Sequence, residues 1–186
     1  MFERLSIPDV ILISPKRHGD ARGFFTETFR ADTYEVAGVK GSFVQDNQAY
    51  SAEAFVLRGL HFQKPPMAQA KLVSCTRGRI FDVAVDLRRN SPSFGKYVGA
   101  ELSAETGQQL YVPEGFAHGY LTLTTACEVR YKVSNYYSPD DEGGIAWDDP
   151  EIEVDWPLGS ESPVLSGKDT DLPKLSQLGP VFSYTP

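Results

Sequence analysis

Apolar and polar residues alternate along IFDVAVDL (80–87): Phe81, Val83, Val85 and Leu87 share one side, and Ile80, Asp82, Ala84 and Asp86 the other. That period of two predicts a strand, and its polar positions predict burial on one face only. Similar short runs rich in Val, Ile, Phe, Tyr and Thr recur at 10–15, 23–29, 42–51, 54–63, 70–78, 97–103, 108–113, 119–124 and 127–137. Ten such strands, punctuated by 13 prolines and 16 glycines, predict an all-β fold of two stacked sheets. Helix is scarce. DTYEVAG (32–38), capped by Asp32, and PKLSQLG (173–179) read as short peripheral helices. No repeat or low-complexity linker interrupts the chain, so one unit over residues 1–186 is expected. The Pro/Ser/Gly-rich stretch after Trp156, about 30 residues, is expected to wrap the surface as irregular chain.

Composition narrows the picture. A chain of 186 residues with 41% hydrophobic and 12% aromatic content can bury a sizeable core. Acidic residues outnumber basic ones 25 to 18, a formal charge of −7, which argues against a general nucleic-acid surface; an anionic ligand would need a local basic cluster. Cys75 and Cys127 form no CxxC pair and are expected to be reduced and buried. No apolar run approaches the ~20 residues needed to cross a bilayer. The start MFERLSIPDV lacks the basic and apolar regions of a signal peptide, so cytoplasmic residence is the expectation.

Candidate chemistry centres on histidine, of which there are three. His61 follows an apolar run in VLRGLHFQ, His118 ends a Pro/Gly-rich turn in VPEGFAHGY, and His18 lies upstream in a loop. Imidazole, with a free pKa of roughly 6.5, can hold a metal or move a proton near neutrality. A metal would need three or four converging ligands. Position 63 is glutamine, so no HxH pair exists, and His118 with Glu101, Glu105 or Glu114 would have to complete the set. Proton transfer needs a base, a group that orients it, a stabiliser for developing negative charge and an acid on the far side. His61, Asp169 of LSGKD, Lys71 and Tyr131 are candidates for those parts in that order. Each also has an ordinary reading, as a satisfied strand histidine, a surface carboxylate, an edge lysine or a core tyrosine.

Arg22 in GDARGFFTETF, Arg58, Lys71 and Lys168 offer positive charge near the histidine segments. Guanidinium forks suit phosphate oxygens, and Tyr137 could stack on a base, as a nucleotide-diphosphate sugar would require. The plainer alternative for Arg22 is an ion pair with Glu27. Tyr131, Val133, Asn135 and Tyr137 share a face if their strand is continuous. Arg58 and His61, three apart, face opposite ways in a regular strand unless Gly59 supports a bulge.

Seven segments occur in order: GDARGFFTETF, FVQDNQAYS, VLRGLHFQ, QAKLVSCTRGRIFDVAVDLRRNSPSFG, YVPEGFAHGY, EVRYKVSNYYSPDDEGGIAWDDP and LSGKD. Together, over about residues 8–173, the chain resembles the dTDP-4-dehydrorhamnose 3,5-epimerases, a cupin-like family with a double-stranded β-helix, or jelly-roll, fold. The resemblance implies His61 as proton acceptor, Tyr131 as proton donor, Asp169 as the carboxylate paired with His61, and Lys71 beside the C4 oxygen. It implies that Arg22, Glu27, Gln45, Asn47, Arg58, His118, Glu142 and Lys168 hold a dTDP-linked 4-keto-6-deoxy sugar and that Tyr137 stacks on the thymine. It further implies a homodimer with exchanged strands, no metal and no cofactor, and a place on the route to dTDP-L-rhamnose and cell-surface polysaccharide. Relatives that epimerise a single carbon share most of these motifs. The poorest matches are KPPMAQ after His61 and the terminal LGPVFSYTP.

Overall fold

The computed structural model describes residues 1–185; Pro186, the last residue of the expected unit, lies outside them. The strands are β1 (Phe2–Arg4), β2 (Ile11–Ile13), β3 (Arg17–Asp20), β4 (Gly23–Thr26), β5 (Gln45–Ser51), β6 (Leu57–Gln63), β7 (Lys71–Arg77) and β8 (Arg79–Asp86). They continue as β9 (Arg88–Arg89), β10 (Tyr97–Ser103), β11 (Gln109–Val112), β12 (Phe116–Thr122), β13 (Cys127–Val133), β14 (Glu142–Gly144) and β15 (Phe182–Ser183). Two helices, α1 (Ala31–Val36) and α2 (Gly167–Thr170), complete the regular structure with 3-10 turns at Pro139–Asp141 and Leu175–Gln177. A six-stranded sheet runs β1-β2-β11-β7-β13-β5 and a five-stranded sheet runs β10-β8-β12-β6-β14. Facing each other, they form the expected jelly-roll sandwich. No helix among the described residues is long and apolar enough to cross a membrane.

Between the sheets lies a core of Val73, Cys75, Leu110 and Val129 from one side and Ile80, Ala84, Phe116 and Tyr120 from the other. Both cysteines are free and buried in it, as expected. The pleat that sends Ile80 and Ala84 inward sends Val83 and Val85 outward. There they meet Ile152, Trp156, Leu175 and Phe182 of the tail. β8 is therefore covered on both faces, which corrects the half-buried expectation: the irregular tail is the second cover. Trp156 Nε1 donates to the Trp147 carbonyl at 2.9 Å, and β15 pairs in parallel with β9. These bonds hold the tail against the small sheet.

The short elements differ from expectation in physically instructive ways. The α1 helix starts one residue early, its N-cap is Arg30, and Asp32 sits in the first turn, where its carboxylate takes the Arg30 guanidinium at 2.8 Å and the Thr33 amide at 2.6 Å. The C-terminal helix expected at 173–179 shrinks to one 3-10 turn, while α2 forms before it. There the Ser166 hydroxyl accepts from the Asp169 amide at 3.2 Å and donates to Asp169 Oδ2 at 2.7 Å, a reciprocal cap that the S-x-x-D spacing of SGKD encodes. β13 stops at Val133, so Tyr137 belongs to the following loop and not to the face of Tyr131. β12 begins at Phe116, which puts His118 inside a strand.

A bulge sets the geometry around His61. Cross-strand partners are His118 with His61 and then Tyr120 with Arg58, so two steps along β12 match three along β6. The extra residue brings Arg58 and His61 onto the same inward face. Gly59 makes this possible: its φ is +122°, and a Cβ there would stand 2.6 Å from Gly119 Cα and 2.8 Å from the His118 carbonyl oxygen. Gly119 closes the crossing from the other side, where a Cβ would meet the Arg58 carbonyl at 2.7 Å.

Candidate active site

The inward-facing residues at one end of the sandwich enclose a cavity of about 390 Å³. His61 and Glu142 stand on the five-stranded sheet, and Lys71, Tyr131, Asn47 and Gln45 on the six-stranded one. Tyr137 leans in from the loop after β13. Cross-strand register explains why the second group converges: Tyr131 lies opposite Asn47 on β5, and Val133 lies between Gln45 and Lys71.

His61 Nε2 is 2.6 Å from Asp169 Oδ1, a close contact that is not aligned as a hydrogen bond. The imidazole is partly exposed, at 28%, whereas Asp169 is 6% exposed. Asp169 is no surface carboxylate, because the α2 cap turns it inward and the Gly59 amide and Ser166 hydroxyl satisfy its oxygens at 3.4 and 2.7 Å. Burial pushes the His61 pKa below its usual value; Asp169 opposes that, and Lys71 and Lys168 reinforce it. His61 is therefore neutral at pH 7. With Nε2 held by Asp169, Nδ1 is the nitrogen free to accept a proton.

Lys71 is buried, and its Nζ donates to the His61 carbonyl oxygen at 3.3 Å. Burial lowers its pKa to about 8, with Asp82 and Glu142 pulling the other way. At neutrality it remains an ammonium ion. Burial raises the Tyr131 pKa above the usual phenol value, against a smaller opposing pull from Arg58, so the phenol carries its proton. Burial also acts to raise Glu142, but Lys168 and the Tyr137 hydroxyl outweigh it and hold the carboxyl below its usual pKa. Glu142 forms an ion pair with Lys168 and accepts from Tyr137 Oη at 3.0 Å. One carboxylate thus ties the ring and the ammonium together at the cavity mouth.

The remaining candidates separate into two groups. Arg58, which is exposed, and His118, which is buried, lie off the cavity wall. The Arg58 guanidinium donates to the Tyr50 carbonyl at 3.1 Å and the Ser51 hydroxyl at 3.3 Å, and His118, 6% exposed, has Nε2 2.8 Å from Asp82 Oδ1. Arg22 and Glu27 are not brought to this cavity within the chain. Arg22 sits 90% exposed at the tip of the β3–β4 hairpin, pairing with Asp20 at 2.6 Å and not with Glu27, which borders a separate depression beside His18. The reason is that this hairpin pairs only with itself and projects from the sandwich. His18, on β3 and not in a loop, lines that same depression and not the cavity of His61.

Gln63 and Gln69, which sequence reasoning passed over, also line the cavity. Gln63 Oε1 accepts from the Ser138 amide at 2.8 Å and Gln69 Nε2 donates to the Asn135 carbonyl at 2.8 Å, so both anchor the Tyr137 loop. Gln63 was legible as the inward partner of His61 two positions on; nothing local singles out Gln69. Among the described residues no group of three His, Cys, Asp or Glu side chains converges as a metal centre would need. Of the acids weighed for such a centre, Glu101 pairs with Arg79 at 3.2 Å and Glu114 accepts from Ser134 at 3.4 Å.

An acid, a base and a cation across one cavity are suited to proton exchange beside a carbonyl, and known proteins say which kind. Residues 4–177 match the sequence model described as dTDP-4-dehydrorhamnose 3,5-epimerase. The chain belongs to the dTDP-4-dehydrorhamnose 3,5-epimerase family. It is accordingly a carbohydrate epimerase, an isomerase. A Salmonella typhimurium dTDP-4-dehydrorhamnose 3,5-epimerase is 52% identical over 94% of each chain. The Legionella pneumophila dTDP-6-deoxy-D-glucose-3,5-epimerase, solved with dTDP-4-keto-L-rhamnose, superposes with a TM-score of 0.95 at 42% identity, covering 100% of this chain and 99% of that one. The epimerase fold is shared more widely: a 3'-monoepimerase of Streptomyces bikiniensis, solved with dTDP-quinovose, matches at TM-score 0.86 and 34% identity, over 92% of this chain and 86% of its own.

Proposed function

We propose that this cavity binds dTDP-4-dehydro-6-deoxy-D-glucose and inverts C3 and C5, giving dTDP-4-dehydro-L-rhamnose for dTDP-L-rhamnose synthesis. The observation that carries the reading is the placement of a neutral imidazole, backed by a buried carboxylate, on one sheet and a protonated phenol and an ammonium on the other. Protons on C3 and C5 are acidic because the carbanion left behind delocalises onto the C4 oxygen. His61 Nδ1 takes the proton, and the imidazolium is supported by Asp169. Lys71 faces the enolate oxygen, an electrostatic contribution of typically about 3 kcal/mol. Tyr131 returns a proton from the opposite wall, and that difference of face is the inversion. No cofactor or metal enters any step.

Tyr137 presents an exposed ring for the thymine, while Lys168 and Arg58 supply charge toward the diphosphate. Arg22 and Glu27 serve the site of a second copy in this reading. Phe24 and Phe25 on the same hairpin are 59% and 72% exposed, and Phe24 borders a hollow of about 540 Å³ on the outer face of the large sheet. A homodimer with exchanged hairpins covers both. Sedimentation equilibrium should give about twice the 20.6 kDa chain mass; a monomer at assay concentration would defeat this arrangement.

The function is tested by incubating the 4-keto sugar nucleotide with the protein in D2O and following C3 and C5 by NMR. Deuterium at both carbons with appearance of the L-rhamno product is expected. Exchange at one carbon alone would make the protein a single-carbon epimerase, the chemistry of the Streptomyces bikiniensis relative.

The ionisations give a second expectation. Activity is lost as pH falls through the His61 pKa, because the base must be neutral, and that limb lies below the usual 6.5. It is lost again as pH rises through about 8, where Lys71 gives up its charge. A bell-shaped kcat/KM profile should result. Lys71→Arg should carry the plateau past pH 9 at reduced rate; an unchanged alkaline limb in that variant would remove Lys71 as its origin.

A further inference from the structure

The loop that carries Tyr137 is held by side chains and not by a strand ladder. β13 ends at Val133 and the 3-10 turn begins at Pro139, so residues 134–138 lie between regular elements. The main-chain amide of Tyr136 donates to Asn135 Oδ1 at 3.0 Å, that of Tyr137 to Gln45 Oε1 at 3.1 Å, and that of Ser138 to Gln63 Oε1 at 2.8 Å. The Asn135 carbonyl in turn accepts from Gln69 Nε2 at 2.8 Å. Three glutamines, from β5, β6 and the β6–β7 connection, thus bond three positions within four residues of chain.

All three glutamines line the cavity, and of them Gln63 alone is fully buried, at 5% exposure. It lies two residues beyond His61 on β6. Its cross-strand partner on β14 is Glu142, which accepts from Tyr137 Oη at 3.0 Å. One pair of neighbours therefore grips both ends of this segment, Glu142 at the ring hydroxyl and Gln63 at the main chain just beyond the ring. Between these two holds Tyr137 stays 51% exposed. Main-chain amides outside a ladder must find partners elsewhere, and fixed partners on the sandwich reduce the number of conformations the loop samples.

We propose that Gln63 is a positioning residue for nucleotide binding: with Gln45 and Gln69 it pre-forms the Tyr137 loop, so that the ring already stands where the base stacks. It acts through Tyr137 and not on the reacting carbons. The inference rests on the reading of Tyr137 as the platform for the thymine. Ordering the loop in advance removes a cost that binding would otherwise bear. Apparent affinity scales with the fraction of molecules in which the platform is formed, and losing one such hydrogen bond should lower that fraction to between about a fifth and a tenth.

Isothermal titration calorimetry with dTDP on the wild-type protein, Gln63→Met, Tyr137→Ala and the double variant tests this without turnover. Methionine keeps the length of the side chain and removes the acceptor. Gln63→Met should raise the dTDP Kd about five- to tenfold and raise KM for the 4-keto sugar nucleotide in parallel, with kcat within about twofold of wild type. In the Tyr137→Ala background the same change should cost less than about twofold, because the platform it orders is gone. A merely structural role would lower Tm without that dependence on the Tyr137 ring. A Kd for Gln63→Met within about twofold of wild type, or an equal loss with and without the ring, overturns the proposal and leaves the stacking role of Tyr137 standing. If Tyr137→Ala itself binds dTDP as tightly as wild type, the stacking reading fails and the proposal falls with it. Should Gln63→Met fail to fold, Gln69→Met, which frees the Asn135 carbonyl, carries the same expectations and the same refutations.

Discussion

His61→Asn is expected to abolish deuterium uptake at both C3 and C5 and to lower product formation by at least about 10³-fold. Asparagine keeps a polar group of similar reach opposite Asp169, so the 6% exposed carboxylate is not left bare. Alanine would strand that buried charge and confuse a chemical loss with a structural one. The amide has no basic nitrogen; of the other groups lining the cavity, Tyr131 is a phenol whose pKa is raised by burial, Lys71 is protonated at neutrality and the Glu142 carboxylate is engaged by Lys168 and Tyr137, so none takes over proton removal at neutral pH. Because one imidazole is asked to serve both carbons, the two exchange rates should fall together. NMR in D2O measures both at once; uptake surviving within tenfold of wild type at either carbon would assign that carbon a different base.

Tyr131→Phe should separate two events that normally run together. His61, Asp169 and Lys71 remain in place, so the proton is still removed and the enolate still forms. What disappears is the donor on the opposite face. Deuterium should therefore continue to enter with retention, returned by His61, while epimer formation drops about 10² to 10⁴-fold. The ring of Tyr131 packs against the inter-sheet core, and phenylalanine preserves that contact, so the fold should be unaffected. The telling quantity is the ratio of exchange to epimerisation, which rises in this variant. Equal loss of both would mean that Tyr131 acts on proton removal, and a normal rate of epimer formation would mean that it is not the acid.

The two variants probe residues of unequal legibility. Tyr131 and Lys71 reach the cavity because strand alternation turns positions 71, 73 and 131, 133 inward, which can be counted along the chain once the strands are known. Asp169 cannot be counted in this way. It lies in a Pro/Ser/Gly-rich tail where exposure is the ordinary expectation, and only the Ser166 cap and the docking of that tail turn it toward His61. The S-x-x-D spacing of SGKD is compatible with a cap, but nothing local says which way that cap points. Gln69 and Asp82 illustrate the same limit, since one is defined by a loop it anchors and the other by which face of β8 meets the second sheet.

Half burial of β8 was the natural reading of IFDVAVDL, because local alternation records which side chains share a face and not what lies beyond it. The tail supplies the second cover through contacts distant in sequence. Likewise the spacing of Arg58 and His61 left two registers open, and the close crossing of Gly59 over Gly119 chose the bulged one.

The order of motifs, the run of short alternating strands, and the residue types His61, Tyr131, Lys71 and Asp169 are properties of the chain itself, and they determined the all-β class and the kind of chemistry. Tertiary structure decided the rest: the bulge that aims Arg58 and His61 the same way, the burial of His118 against Asp82, and the projection of Arg22 and Glu27 away from the cavity. The division follows the range of the forces. Pleat and turn preferences act between near neighbours and are written in local order, whereas register, burial and pKa depend on which distant segment removes water from a side chain.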